Sequence, residues 1–350
     1  MPGIWSRSGV RQFLSMAALL VILVLVAVIN RQRTRGKPAL PPAVATPSSY
    51  SQSNRPAVAP LELPGGQPVD LVINDQLLYV LTEDPPLLLH VDPYRAGTVL
   101  QSAPVAAGSR LLLFDGRRGQ LWVVSGDDRT STIRDYDALS LSPGLPVRLP
   151  FAITAATALE GNLWLGTPNG LYVLSSERRV AGRSAAVTGE VSGVVSDLAR
   201  GQVLVASSGR SGSALVGLEA ATGKPVARAS LPLHRVSVAT TAREVWVAGY
   251  DEGPHRLAIH LDGQTLRPIG SLRPDPSHSA GALVWAGETV IWLRPAASTD
   301  LWCVGAADGV VRGHWSGVIG PVVSRAGVAY AVGRASVLVL SLTGQACREG

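Results

Sequence analysis

The chain has almost no cysteine: only Cys303 and Cys347 occur among its 350 residues. That excludes a disulfide-dense scaffold and a zinc site built on C-x-x-C spacing. Two readings of the pair stand. A bridge would staple the last two repeats and stabilise by about 3–4 kcal/mol through loop-closure entropy; otherwise they are two separate buried thiols. Aromatics are scarce too, at 5%, although eight of them are Trp. No acidic residue occurs in the first 37 positions, which carry Arg7, Arg11, Arg31, Arg33, Arg35 and Lys37. These cations account for the whole net charge of +6. The remainder is neutral and lacks the basic footprint of a nucleic-acid binder, so no nucleic-acid partner is expected. Beyond residue 37 no long stretch holds a helical period. G-x-S-x-G, H-E-x-x-H, Walker A and a dinucleotide-binding G-x-G-x-x-G are all missing.

What is present is 46% apolar residue, 37 Gly and 25 Pro, the composition of a large core crossed by many turns. A short basic tail, 1–12, precedes an uncharged run. From Phe13 to Ile29 that run reads FLSMAALLVILVLVAVI, close to the lower limit of the roughly 20 residues that span a bilayer. It passes straight into Asn30-Arg31-Gln32-Arg33, without the small residues a cleavage site needs. Residues 13–30 are therefore expected to be an uncleaved transmembrane helix. Cations are more numerous after the helix, which by the positive-inside rule favours a cytoplasmic domain. The short basic head and the spacer that follows favour the opposite, and a single-pass protein of the cell membrane with an extracytoplasmic domain is the expectation adopted. Residues 31–64 are basic, then rich in Pro, Ala and Ser. They bury too little apolar surface to offset their ordering entropy and read as a disordered, semi-rigid linker.

From residue 65 to 350 the chain repeats itself. A short strand centred on a large side chain recurs about every forty residues: LLYVL around Tyr79, LWVVS around Trp122, LWLGT around Trp164, VLVAS around Leu204, VWVAG around Trp246, IWLRP around Trp292 and AYAVG around Tyr330. A turn precedes most copies, Gly119-Gln120 and Gly201-Gln202 among them. A third strand follows each, and often ends in an acidic turn residue such as Asp92, Asp137, Glu219, Asp262 or Asp308, expected to cap its own backbone. Neither face of so small a sheet is stable alone, but packing sheets face to face around an axis buries both. The fold class predicted is all-β, a seven-bladed β-propeller of four-stranded blades, with the large second-strand side chains wedged between blades. His90, Gly217, His260 and Cys303 share one place in the third strand and read as ordinary blade residues. The ring closes either through Gln345–Glu349 or through Leu61-Glu62-Leu63, and the second is preferred.

The LYVLTE, LWVVSGD and VWVAGYD strands, with the EAATGKPV and SLTGQ turns, resemble the YVTN-type and quinoprotein-like (PQQ-like) propeller repeats over residues 65–350. That resemblance implies a fold more than an activity, since the group includes binding scaffolds, lyases, lactonases and quinone-dependent dehydrogenases. The chain lacks the adjacent cysteines of the dehydrogenases. Function is expected on the loops entering the inner strands and joining the second to the third. The candidates there are Arg110, Asp127, Asp128, Arg129, Arg210, His234, Asp251, Glu252, His255 and His278. His234 and His278 open adjacent repeats, and two readings follow: solvated loop residues, or a metal or acid–base pair. The expectation is a binding module for a protein, peptide or glycan, with no cofactor, no resident metal and no catalytic residue assigned. The alternative is a metal-assisted lactonase- or lyase-like enzyme at the channel mouth.

Overall fold

The computed structural model describes residues 58–341 except 62, 65, 75–76, 93–94, 96, 176, 210–211, 251–255, 273–281, 288, 296–297 and 326–327. The expected membrane helix, Cys347 and the segment Gln345–Glu349 lie outside the described residues, as do Arg210, Asp251, Glu252, His255 and His278. Among the described residues no helix is long and apolar enough to cross a membrane.

These residues form seven antiparallel four-stranded sheets, blades 1 to 7 in chain order: 67–104, 109–149, 155–183, 190–231, 234–272, 282–315 and, with 58–61 added, 318–341. In blade 1 the strands are Gln67–Asn74, Leu77–Glu83, Leu87–Asp92 and Thr98–Pro104, counted from the axis outward as inner, second, third and outer. The second strand, LLYVLTE, is buried on both faces. It needs no polar alternation because a neighbouring blade covers each side. The outer strand, TVLQSAP, is mostly exposed and correspondingly polar. The inner strands of consecutive blades touch all the way round, and the inner strand of blade 1, Gln67–Asn74, meets that of blade 7, Val318–Arg325. The unit is therefore a closed, seven-bladed β-propeller.

Closure uses the chain's own beginning. Val58–Leu61 is the outer strand of blade 7 and pairs antiparallel with Val337–Ser341, Val58 opposite Val339 and Leu61 opposite Val337. The preferred closure through Leu61 is thus observed, with the strand set earlier than expected. Four residues of the stretch read as linker belong to the propeller, because an unpaired third strand in blade 7 would leave a bare edge.

The large second-strand side chains stand where the repeat places them. Tyr79, Trp122, Trp164, Leu204, Trp246, Trp292 and Tyr330 are all buried. The core clusters each join two blades: Tyr79 packs with Leu112 and Leu121 of blade 2, Trp246 with Val284 and Ile291 of blade 6, and Tyr330 with Leu71 and Leu78 of blade 1. Each ring leans toward the following blade. Two of them bond the same carbonyl there, just past the third strand: Tyr79 Oη donates to Ala138 O at 3.0 Å and Trp246 Nε1 to Ala306 O at 2.9 Å.

Candidate functional site

Every blade presents two kinds of connection. Loops entering the inner strand and joining second to third strands make one face, here the loop face. Tight turns joining inner to second and third to outer strands make the opposite one, the turn face. Five of the expected site residues are described, all on the loop face, and two of them, Arg110 and Asp127, are bonded to the scaffold. Arg110, in the bulge of the blade 2 inner strand, donates from Nη2 to Ile153 O of blade 3 at 2.8 Å and to Asp127 O at 3.5 Å. Asp127 turns its carboxylate back on its own loop, accepting from the N–H groups of Thr130 and Arg129, each at 2.8 Å. Those two bonds hold its carboxyl below the usual carboxylate range. Asp128 and Arg129 beside it are exposed. The structure thus brings Arg110, Asp127, Asp128 and Arg129 together on blade 2. His234 is half-buried at the start of the inner strand of blade 5, opposite Tyr250. Among the described residues no three His, Cys, Asp or Glu side chains cluster in a way that would hold a metal ion.

Arg110 is one of a series. At successive seams a polar inner-strand side chain reaches the backbone of the next inner strand. Thr154 Oγ1 donates to Val191 O at 2.6 Å, Ser192 Oγ to Val236 O at 2.8 Å, and Ser237 Oγ accepts from Val284 N–H at 2.9 Å. Asp70 does the same between blades 1 and 2, accepting from Leu112 N–H at 2.7 Å and from Leu71 N–H at 2.8 Å. Asp70 is half-buried. Desolvation raises its carboxyl to about 7, against the pull of the two N–H groups. The sequence offered no signal for these latches, since each partner lies about forty residues away and is a backbone group.

His90 and His260 confirm the third-strand equivalence. His90 stacks on Tyr79 at 4.9 Å between ring centroids, and His260 on Trp246 at 4.5 Å with the planes 5° apart. Burial lowers the pKa of both. The acidic turn residues behave as caps: Asp137 Oδ1 accepts from Ser140 N–H at 2.8 Å and Asp262 Oδ1 from Thr265 N–H at 2.7 Å.

Among the described residues the turn face opens between blades 4 and 5 into a cleft of about 720 Å³ lined by Arg200, Gln202, Glu219, Val226, Arg243, Asp262 and Gln264. Two positions of blade 4 explain it. The wedge is Leu204 instead of a ring, and its cross-strand partner is Gly217 where blades 1 and 5 carry histidine. Gln202 and Val226 lean into the vacated space, and a Cβ on Gly217 would meet both. The carbonyl equivalent to Ala138 O and Ala306 O is Gly263 O. No ring reaches it; instead Gln202 Nε2 donates to it across a long 3.4 Å. Arg200 holds the cleft's inner end. Its Nη1 pairs with buried Asp197 Oδ2 at 2.7 Å and its Nη2 donates to Ala242 O of blade 5 at 3.3 Å. A Cβ at Gly263 would strike that guanidinium, which fixes glycine there. The sequence carried the signal for this cleft in Leu204 and Gly217, two departures in one repeat, but each was read singly.

No protein-family model matches this chain, and no curated protein does. Solved structures do. The β-propeller domain of Cps50 (Swd1) from Myceliophteria thermophila aligns with a TM-score of 0.62 at 12% identity, covering 81% of this chain and 98% of that one. The Dos1 propeller aligns with a TM-score of 0.58 at 11% identity, covering 80% of each chain. The likeness is one of fold. It fits the seven-sheet ring described above, and at these identities it says nothing about ligand or activity.

Proposed function

We propose that this chain is a non-enzymatic, membrane-tethered binding module that engages a protein or peptide partner on the turn face of its propeller. One observation carries the reading. The large apolar side chains exposed among the described residues are one-sided. Leu139, Leu145, Leu198 and Val310 sit in turns of the turn face, and Val180, Val226, Ile269 and Leu100 within the first three residues of outer strands that start from it. Single exposed apolar residues are ordinary; that these all lie toward one side of the ring, with none on the loop face among the described residues, is what supports the reading. The loop face, by contrast, spends Arg110 and Asp127 on internal bonds. Seam latches at several blades make the scaffold stiff, so a partner would meet a preorganised surface and lose little to ordering the receptor.

The tether in this proposal is the apolar run 13–30, held in the cell membrane with the propeller outside the cytoplasm. The chain enters the propeller at Val58, on the turn-face end of blade 7. The repeat resemblance to YVTN-type and quinoprotein-like propellers is carried over as kinship of fold, without their chemistry.

Photo-crosslinking in intact cells tests the reading. A benzoylphenylalanine at Leu139 or Leu198 is expected to give a discrete adduct, and one at Asp128 or Arg129 none. The reverse pattern would move the site to the loop face. Adducts from neither face would sink the binding module.

A further inference from the structure

From the unplugged seam we infer that the cleft between blades 4 and 5 is a recognition pocket for an aromatic side chain carrying an N–H or O–H donor, a Trp or Tyr presented by a partner peptide. The inference deepens the binding reading above and rests on it.

The occupant follows from what fills the same place elsewhere. At the seam between blades 5 and 6, Trp246 lies flat on His260 and its indole N–H donates a hydrogen bond to Ala306 O. At the seam between blades 1 and 2, Tyr79 lies on His90 and its phenol O–H donates a hydrogen bond to Ala138 O. Both arrangements need a planar ring with a donor at its edge. At the seam between blades 4 and 5 the acceptor is kept as Gly263 O, the ring is replaced by Leu204 and the supporting residue by Gly217. Gln202 and Val226 stand over the leucine and the glycine, and outside them lies the cleft, with Val226, 58% exposed at the mouth, as its apolar wall. The amide of Gln202 holds Gly263 O only at 3.4 Å, so a better-placed donor can displace it at small cost.

The rim sets the flanking chemistry. Arg243 is exposed and makes no ion pair among the described residues, whereas Arg200 beside it is saturated by Asp197 and blade 5 carbonyls. Asp262 has one oxygen committed to its own turn. Arg243 is therefore the group left to engage an acidic neighbour of the inserted ring. A bulky ring entering a preformed slot, with one directional bond and a charged rim, is the usual anatomy of a peptide hot spot.

The test uses the full-length chain in detergent and N-acetyl-5-fluorotryptophanamide as probe, followed by its fluorine resonance. Saturable binding with a dissociation constant of about a millimolar is the expectation for one isolated anchor. Leu204→Trp plugs the slot from within and is expected to weaken binding at least tenfold while the protein stays folded. Val226→Asp, an exposed change that leaves the core alone, is expected to weaken it at least fivefold; it serves where Leu204→Trp fails to fold. Asp128→Ala, on the loop face, should leave binding within twofold. No saturable binding, or binding that Val226→Asp leaves unchanged, overturns the pocket. If crosslinks at Leu139 and Leu198 persist in that case, the pocket falls and the binding module stands.

Discussion

Two neighbouring seams of one ring solve the same problem differently. Between blades 5 and 6 the indole of Trp246 fills the gap, stacked on His260 and bonded to Ala306 O. Between blades 4 and 5 the gap is spanned by Leu204, Gly217 and a long bond from Gln202, and the turn face stays open. The ring tolerates the weaker seam because the others hold it. Arg200 also compensates locally, by tying the inner-to-second turn of blade 4 to that of blade 5. Geometry that is pure packing at one seam becomes an available surface at the next, and the proposed pocket lies there.

The largest effects should come from undoing the closed seam. Trp246→Ala is expected to cost about 3–5 kcal/mol in urea unfolding, against about 2 kcal/mol for Leu204→Ala, whose cavity would merge with an existing cleft. Equal losses would break the comparison. Arg200→Met leaves the carboxylate of Asp197, whose side chain is 1% exposed, without its opposite charge and with only long bonds from Gln202 Nε2 and a backbone N–H, and should cost about 3 kcal/mol. A loss below about 1 kcal/mol would show that the compensation at the open seam is not real.

Acidity separates the seams more gently. His90 and His260 are buried as neutral bases at the plugged seams, with pKa values lowered by burial. Their contribution is complete above about pH 6.5, the unfolded value, and is lost as pH falls below it, because the unfolded chain then binds protons that the fold does not. Asp70 has the opposite sign. Its carboxyl is raised to about 7, so its contribution is full below an unfolded value of 3.8 and is lost as pH rises through 7. His260→Phe, which keeps a ring over Trp246, should flatten the loss of stability on acidification from pH 7 to 5. Asp70→Asn should steepen it. Urea midpoints at several pH values check both, and a change of the wrong sign in either variant contradicts the burial argument.

Much of the fold was legible in the sequence because it is local and periodic. The second-strand core residues from Tyr79 to Tyr330, the pairing of His90 with His260 as equivalents and the capping roles of Asp137 and Asp262 follow from position within a unit. The closing strand was legible in part: Leu61 was placed, while Val58 was lost to a proline-rich context that reads as linker. The site was legible least. The chemistry of Arg110 and Asp127 suggested a ligand, and the fold uses both on backbone groups, which a sequence does not display. The cleft depends on what two residues fail to fill, and an absence shows only when the units are laid over one another. The repeated turn D-x-x-R-G-Q, Asp115 to Gln120 and Asp197 to Gln202, could have marked the turn-face seams in advance.

The most direct measurement is the melting temperature of Leu204→Trp in the otherwise unchanged chain. In a fully packed core such a change overfills the space and costs about 1–3 kcal/mol, a drop of several degrees. The expected result is a melting temperature equal to or above that of the parent, with the new indole buried between blades 4 and 5 and bonded to Gly263 O. A fall of several degrees would mean that this seam is already full, and that the ring has no vacancy for a partner to occupy.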